Sequence, residues 1–190
     1  MPKGFLLVLM QPPPAFEEEF NAWYDNEHIP ERIAVPGIET GLRFVCIDGH
    51  PRYLAMYDLV NHDVLSSPAY LKVAFDQSSP WTKRVTSRVR VWRSSGDQIH
   101  PGDKITGRAS RITLLRFAGL KASDGGDVTS AVRRAFEERP ETSQIRILAY
   151  DNGYMGFIES RAPFAQPIDV KALGAYAGAL DLVNTYAPYQ

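Results

Sequence analysis

The residues with the most evident capacity for chemistry sit together in Trp23-Tyr24-Asp25-Asn26-Glu27-His28. His28 is the one side chain there that titrates near neutrality unaided, so it is the natural general base. Glu27 or Asp25 could hold its tautomer, and Tyr24, Tyr53 or Tyr57 could donate a hydrogen bond to an oxyanion developing on a substrate. At ~100° per residue, Phe16, Phe20, Trp23 and Glu27 fall on one helical stripe, which puts an acid where an apolar residue is expected. Tyr24 and His28, four residues apart, flank that stripe. The alternative is architectural: Glu27 and His28 could cap backbone groups freed by a kink at Pro30, with Trp23 in the core.

The elements positioning these residues follow from periodicity. Residues 4–11 read as a buried strand stopped by Pro12-Pro13-Pro14. A helix follows from Ala15 to about Val35, kinked at Pro30. Residues 42–47 and 53–59 make a hairpin around Asp48-Gly49-His50-Pro51. Residues 62–77 read as a helix interrupted at Pro68, and 86–94 as a half-buried strand. Residues 95–109, without apolar periodicity, read as a linker. The order then begins again: a strand at 111–117, a helix at 128–138, a hairpin at 145–159 around Asp151-Asn152-Gly153, a short helix at 169–178 and a strand at 180–186.

Two stretches show internal symmetry. Leu42-Arg43-Phe44-Val45-Cys46-Ile47 matches Ile145-Arg146-Ile147-Leu148-Ala149-Tyr150 in pattern, and Tyr53-Leu54-Ala55-Met56 matches Tyr154-Met155-Gly156-Phe157. The expected fold is therefore α+β: two ferredoxin-like βαββαβ repeats, 1–94 and 110–190, joined by the 95–109 linker. Their four-stranded antiparallel sheets would pack face to face as an intrachain pseudo-dimer, so that each apolar sheet face is covered. The chain would be a monomer, or a homodimer through helices or edges. The second repeat's helix, Val128 to Glu138, carries no His, Trp or Tyr, so the repeated fold does not itself call for the motif.

This arrangement resembles the dimeric α/β-barrel superfamily. The stretch Phe20-Asn21-Ala22-Trp23-Tyr24-Asp25-Asn26-Glu27-His28-Ile29-Pro30-Glu31-Arg32 with Val35-Pro36-Gly37 resembles its EthD-like members, as do Ser67-Pro68-Ala69-Tyr70-Leu71 and Ser79-Pro80-Trp81-Thr82. The detailed resemblance covers roughly residues 4–94. It implies a cofactor-independent enzyme of isomerase, cyclase, lyase or monooxygenase type, acting on a small apolar oxygenated molecule such as an aromatic or polyketide-like compound. The superfamily also holds haem peroxidases, but their histidine ligand lies elsewhere in a larger chain and nothing here matches it. A fold of this breadth does not fix function, and a non-catalytic small-molecule-binding or interaction protein is the rival reading.

Candidate substrate-binding residues are Trp23, Arg32, Tyr53, Tyr57, Tyr70, Phe75 and Trp81. Tyr53, Tyr57, Tyr70, Phe75 and Trp81 could equally be core, and Arg32 and Arg43 could be exposed rather than set to bind a substrate carboxylate. His50, His62 and His100 fall in turn or linker segments. A lone Cys46 excludes a disulfide framework and a thiolate metal cage, and no spacing suggests a metal site. A net charge of −1 with scattered basic residues gives no footprint for nucleic acid or an anionic membrane. The apolar run Phe5 to Met10 is too short to span a bilayer, and no small-residue cleavage site follows it, so the expected compartment is the cytoplasm.

Overall fold

Strand β1 (Gly4–Gln11) alternates its side chains between two apolar environments, and this sets the architecture. Phe5, Leu7 and Leu9 point into a closed interior, while Leu6, Val8 and Met10 point outwards beneath helices. In the computed structural model, which describes residues 1–189, β1 is followed by a helix in three parts: α1 (Glu17–Trp23), a π-helical turn (Tyr24–His28) and α2 (Ile29–Ile33). The hairpin strands β2 (Ile38–Cys46) and β3 (Tyr53–Leu59) come next. Short helices α3 (Pro68–Leu71) and α4 (Pro80–Thr86) lead into β4 (Arg90–His100). The second half carries β5 (Arg111–Ala118), α5 (Gly125–Phe136), β6 (Thr142–Tyr150), β7 (Gly153–Ser160), a 3-10 segment (Val170–Ala179) and β8 (Leu180–Pro188).

The expectation of two sheets packed face to face is overturned. All eight strands form one closed antiparallel barrel in the order β1-β3-β2-β8-β5-β7-β6-β4. The sheet edges meet rather than the faces: Phe44 to Cys46 of β2 pair with Tyr186 to Pro188 of β8, and β4 pairs with β6. Closure gives edge N–H and C=O groups their partners, and it covers the apolar inner faces by curling them around one core.

The seam explains why the sequence misled. Residues 95–100, expected in the linker, are strand, and Gly96 to His100 pair with Tyr150 to Ile147. Gly96 is needed there because a Cβ would lie 2.0 Å from the Ala149 carbonyl oxygen. One barrel end is closed by charge: the buried Arg146 guanidinium pairs with Asp58 at 2.6 Å and Glu159 at 3.5 Å. The backbone amides of Thr106 and Gly107 donate to those two carboxylates and hold the connecting segment against the barrel.

Outside the barrel, the first half's sheet lies under α1, α3 and α4, and the second half's under α5 and the 3-10 segment. No helix is long and apolar enough to cross a membrane among the described residues. Residues 62–77, read as a helix interrupted at Pro68, divide into a 3-10 turn (His62–Ser66), α3 beginning at Pro68 and a second 3-10 turn (Phe75–Gln77). Helix α4, capped by the Ser79 hydroxyl accepting from the Thr82 amide, lies where no helix was expected.

Candidate functional site

The helix expected to kink at Pro30 runs on through that residue to Ile33. The Ile29 amide donates to the Tyr24 carbonyl, closing a π turn over Tyr24–His28, and α2 continues beyond it. This wide turn sits just before a residue with no N–H to donate, and single π turns inside α-helices are frequent at functional sites. It also changes the helical phase. Residues five apart now share a face, so the His28 ring lies 4.2 Å from Trp23 and 5.1 Å from Tyr24, centroid to centroid.

These rings form one wall of a cavity of about 230 Å³ between the helix and the outer face of the first half's sheet. Leu6, Val8, Met10 and Tyr57 make the floor, Tyr70, Ala74 and Ser78 the far side, and Phe75, Val91 and Arg93 the rim. Of the side chains expected to bind substrate, Trp23, Arg32, Tyr57, Tyr70 and Phe75 line this cavity, with Tyr24 and His28 beside them.

Neither candidate acid meets His28. Glu27 turns to α4, where it accepts from Ser79 Oγ at 2.5 Å and Thr82 Oγ1 at 3.1 Å. The Trp23 indole N–H also donates to Thr82, at 3.0 Å, so Trp23 and Glu27 together fasten α4 to α1. Asp25 is exposed and pairs with Arg43 at 2.6 Å. Arg43 itself lies between the Tyr24 and Tyr189 rings, 4.3 and 4.0 Å from their centroids. Tyr53 lies outside the cavity, its hydroxyl bonded to Glu17 and Asn21. Trp81 lies on the outer side of α4 with Glu19 and Arg84.

The electrostatics are unusual. His28 Nδ1 is buried without a hydrogen-bond partner among the described residues. Burial, reinforced by the Arg32 and Arg43 charges, holds the imidazole well below its usual pKa, so it is neutral at pH 7. Burial pushes the Tyr24 phenol up to about 12, against the opposing pull of Arg43. It drives Tyr57 well above the ordinary value too, and the Tyr57 hydroxyl is buried with no hydrogen-bond partner among the described residues. Both phenols are therefore donors, not bases.

Arg32 is 5% exposed. It donates to the Val73 carbonyl at 2.6 Å and stacks on Tyr70 at 5.2 Å, but forms no ion pair with any described residue. Arg93, on β4, also contributes to the lining, and its Nη2 lies 3.4 Å from the Tyr70 hydroxyl. Arg93 was not among the side chains expected to bind substrate. The polar–apolar alternation of its strand was the signal that it shares a face with Val91.

Among the described residues, no three His, Cys, Asp or Glu side chains gather as a metal site. Nor does the space beside His28 fit a haem. Residues 101–190 contain no histidine, and the space before His28 is about 230 Å³, whereas a cavity of about 150 Å³ takes a single benzene ring. A tetrapyrrole is several times larger than one ring.

No family model matches the chain, and no curated protein matches it. Solved structures do resemble it over its whole length. A candidate monooxygenase from Lactobacillus acidophilus NCFM superimposes with a TM-score of 0.59 at 10% identity, covering 100% of this chain and 94% of that one. An anthrone oxidase-like protein gives 0.60 at 12%, with 100% and 92% covered. A candidate chlorite dismutase gives 0.63 at 10%, with 100% and 96% covered. At such identities the likeness is one of fold alone.

Proposed function

We propose that the first half, with its EthD-like stretch from Trp23 to Arg32, is an enzyme site that moves a proton on a small, flat, oxygenated molecule without a cofactor. His28 is the base. It is neutral at pH 7, its Nδ1 is unengaged, and it faces a largely apolar cavity. The Tyr57 hydroxyl is the donor available to a substrate oxygen as charge builds on it. The single observation that carries this reading is the buried, unpartnered His28 Nδ1, since a buried polar atom left unsatisfied costs about 1–3 kcal/mol and here no backbone group or acid relieves it.

The size of the cavity bounds the substrate. About 230 Å³ admits one ring with substituents or two fused rings. The reaction types that fit are isomerisation, cyclisation, lyase chemistry, or oxygenation in which the deprotonated substrate itself reduces O₂. Two structural neighbours are named as a monooxygenase and an anthrone oxidase-like protein, which makes oxygenation the first reaction to assay. The test is a panel of one- and two-ring phenols, enols and polyketide-like acids. O₂ uptake and product formation are followed with the wild type and with His28→Gln. Turnover that falls ~10²–10⁴-fold in the variant is expected of a general base. Turnover unchanged in the variant would remove His28 as the base, and turnover absent across the panel would leave a binding protein as the better account.

A further inference from the structure

The charge of the cavity goes further than its shape. Two arginines, Arg32 and Arg93, line it, and no aspartate or glutamate does. The hydroxyls on its far side are already engaged: Ser78 donates to the Phe75 carbonyl at 2.7 Å, Thr86 to the Thr82 carbonyl at 2.8 Å, and Thr82 to Glu27. The polar groups with capacity left are cationic or neutral: the Arg32 and Arg93 guanidiniums, the Tyr57 hydroxyl and His28 Nδ1. A guanidinium buried to 5% exposure is strongly disfavoured unless it is paired. Arg32 has five N–H donors, and the Val73 carbonyl accepts from only one of its terminal nitrogens. Its stacking on Tyr70 fixes the plane of the fork.

We infer that the ligand of this cavity is an organic monoanion, an oxyanion on a flat apolar body, with Arg32 as its counter-ion and His28 at its side. This deepens the enzyme reading above by naming the substrate's charge. The apolar floor of Leu6, Val8 and Met10 takes the ring system, and Arg32 takes a carboxylate, phenolate or enolate oxygen. The bound anion also offsets the Arg32 charge that disfavours a proton on His28, so binding makes the imidazole a stronger base where one is needed.

The test compares 2-naphthoate with 2-naphthamide, which match in size and differ in charge, by isothermal titration at pH 7.5. The wild type should bind the carboxylate ~10-fold tighter, about 1.4 kcal/mol, since hydrogen bonds to charged groups are stronger than those to neutral ones. In Arg32→Met the preference should collapse, whereas in Arg93→Met it should persist. Equal binding of the two by the wild type, binding of neither, or a preference lost in Arg93→Met but kept in Arg32→Met would each overturn the inference. Should Arg32→Met not fold, the wild-type comparison still decides on charge, and Arg32→Lys, which keeps the charge but not the fork, should retain part of the preference. A wild type that prefers the anion yet turns over nothing would end the enzyme reading and leave this inference standing. Turnover confined to uncharged compounds would do the reverse.

Discussion

The His28 imidazole packs on the Trp23 indole, ring centroids 4.2 Å apart and planes inclined by 33°. An ordinary α-helical turn would set residues 23 and 28 on different faces. The π turn brings them together, and the same indole donates to Thr82. Trp23 thus fixes both the ring that faces the cavity and the helix that closes it.

Replacing His28 with Gln should leave the melting temperature at pH 7.5 within a few degrees of the wild type while turnover falls ~10²–10⁴-fold. The ring makes no hydrogen bond through Nδ1 that the fold would lose. Differential scanning calorimetry beside the activity assay checks this. A collapse in stability with activity retained would make His28 an architectural residue.

Glu27→Ala should show the opposite profile. Removing the carboxylate strips the Ser79 and Thr82 hydroxyls of their acceptor and loosens α4 from α1. The expected cost is roughly 2–3 kcal/mol, or roughly 5–10 °C in a chain of this size. The shape of any pH–rate profile should not change, because Glu27 faces away from the imidazole. A changed acid limb would show instead that Glu27 acts through His28.

The buried imidazole predicts how stability depends on pH. The folded pKa of His28 lies well below its unfolded value near 6.5. The folded state therefore binds fewer protons there. This contribution to stability is complete above about pH 6.5 and is lost as the pH falls towards the folded pKa. The charges that act on the ring are Arg32 on its own helix and Arg43 on β2, and the titratable side chains sharing its cavity are Tyr24, Tyr57 on β3, Tyr70 on α3 and Arg93 on β4, none of them an acid. Between pH 7.5 and 5, wild type should lose more melting temperature than His28→Gln, and parallel curves would contradict the assignment.

Phe75 predicts an inversion of the usual ranking of glycine and alanine. Its φ of 52° lies in the left-handed region, and its side chain is 64% exposed at the cavity rim beside Arg93. Such a backbone costs a non-glycine residue about 1 kcal/mol or more. Phe75→Gly should therefore be more stable than Phe75→Ala by ~1 kcal/mol, while both release 2-naphthoate faster than the wild type. An alanine variant as stable as the glycine variant would show that the strain is not held at this residue.

The strands and both hairpins were legible because alternation and turn residues such as Asp151-Asn152-Gly153 are local signals. The barrel seam was not. Ser94-Ser95-Gly96-Asp97-Gln98 has no apolar period, and its pairing with β6 is a long-range contact that no local pattern encodes. The motif around His28 was visible as residue types, but its geometry depends on a π turn that a 3.6-residue wheel cannot represent. Glu27 fell on the apolar stripe as expected, yet its partners, Ser79 and Thr82, lie in a helix whose Ser79-Pro80 start was not read as a cap. Arg32 was named as a binding residue, whereas its burial without a counter-ion appears only once the chain is folded.

The central claim is that His28 is neutral, with its Nδ1 buried, and coupled to an anion held by Arg32. Long-range ¹⁵N–¹H spectra of the imidazole rings test it most directly, because the chain has four histidines and His28→Gln identifies the signal to follow. The account predicts a neutral His28 whose pKa lies well below 6.5 in the free protein and rises when 2-naphthoate binds, but not when 2-naphthamide is added. A ring that titrates at 6.5 or above and ignores the carboxylate would contradict it.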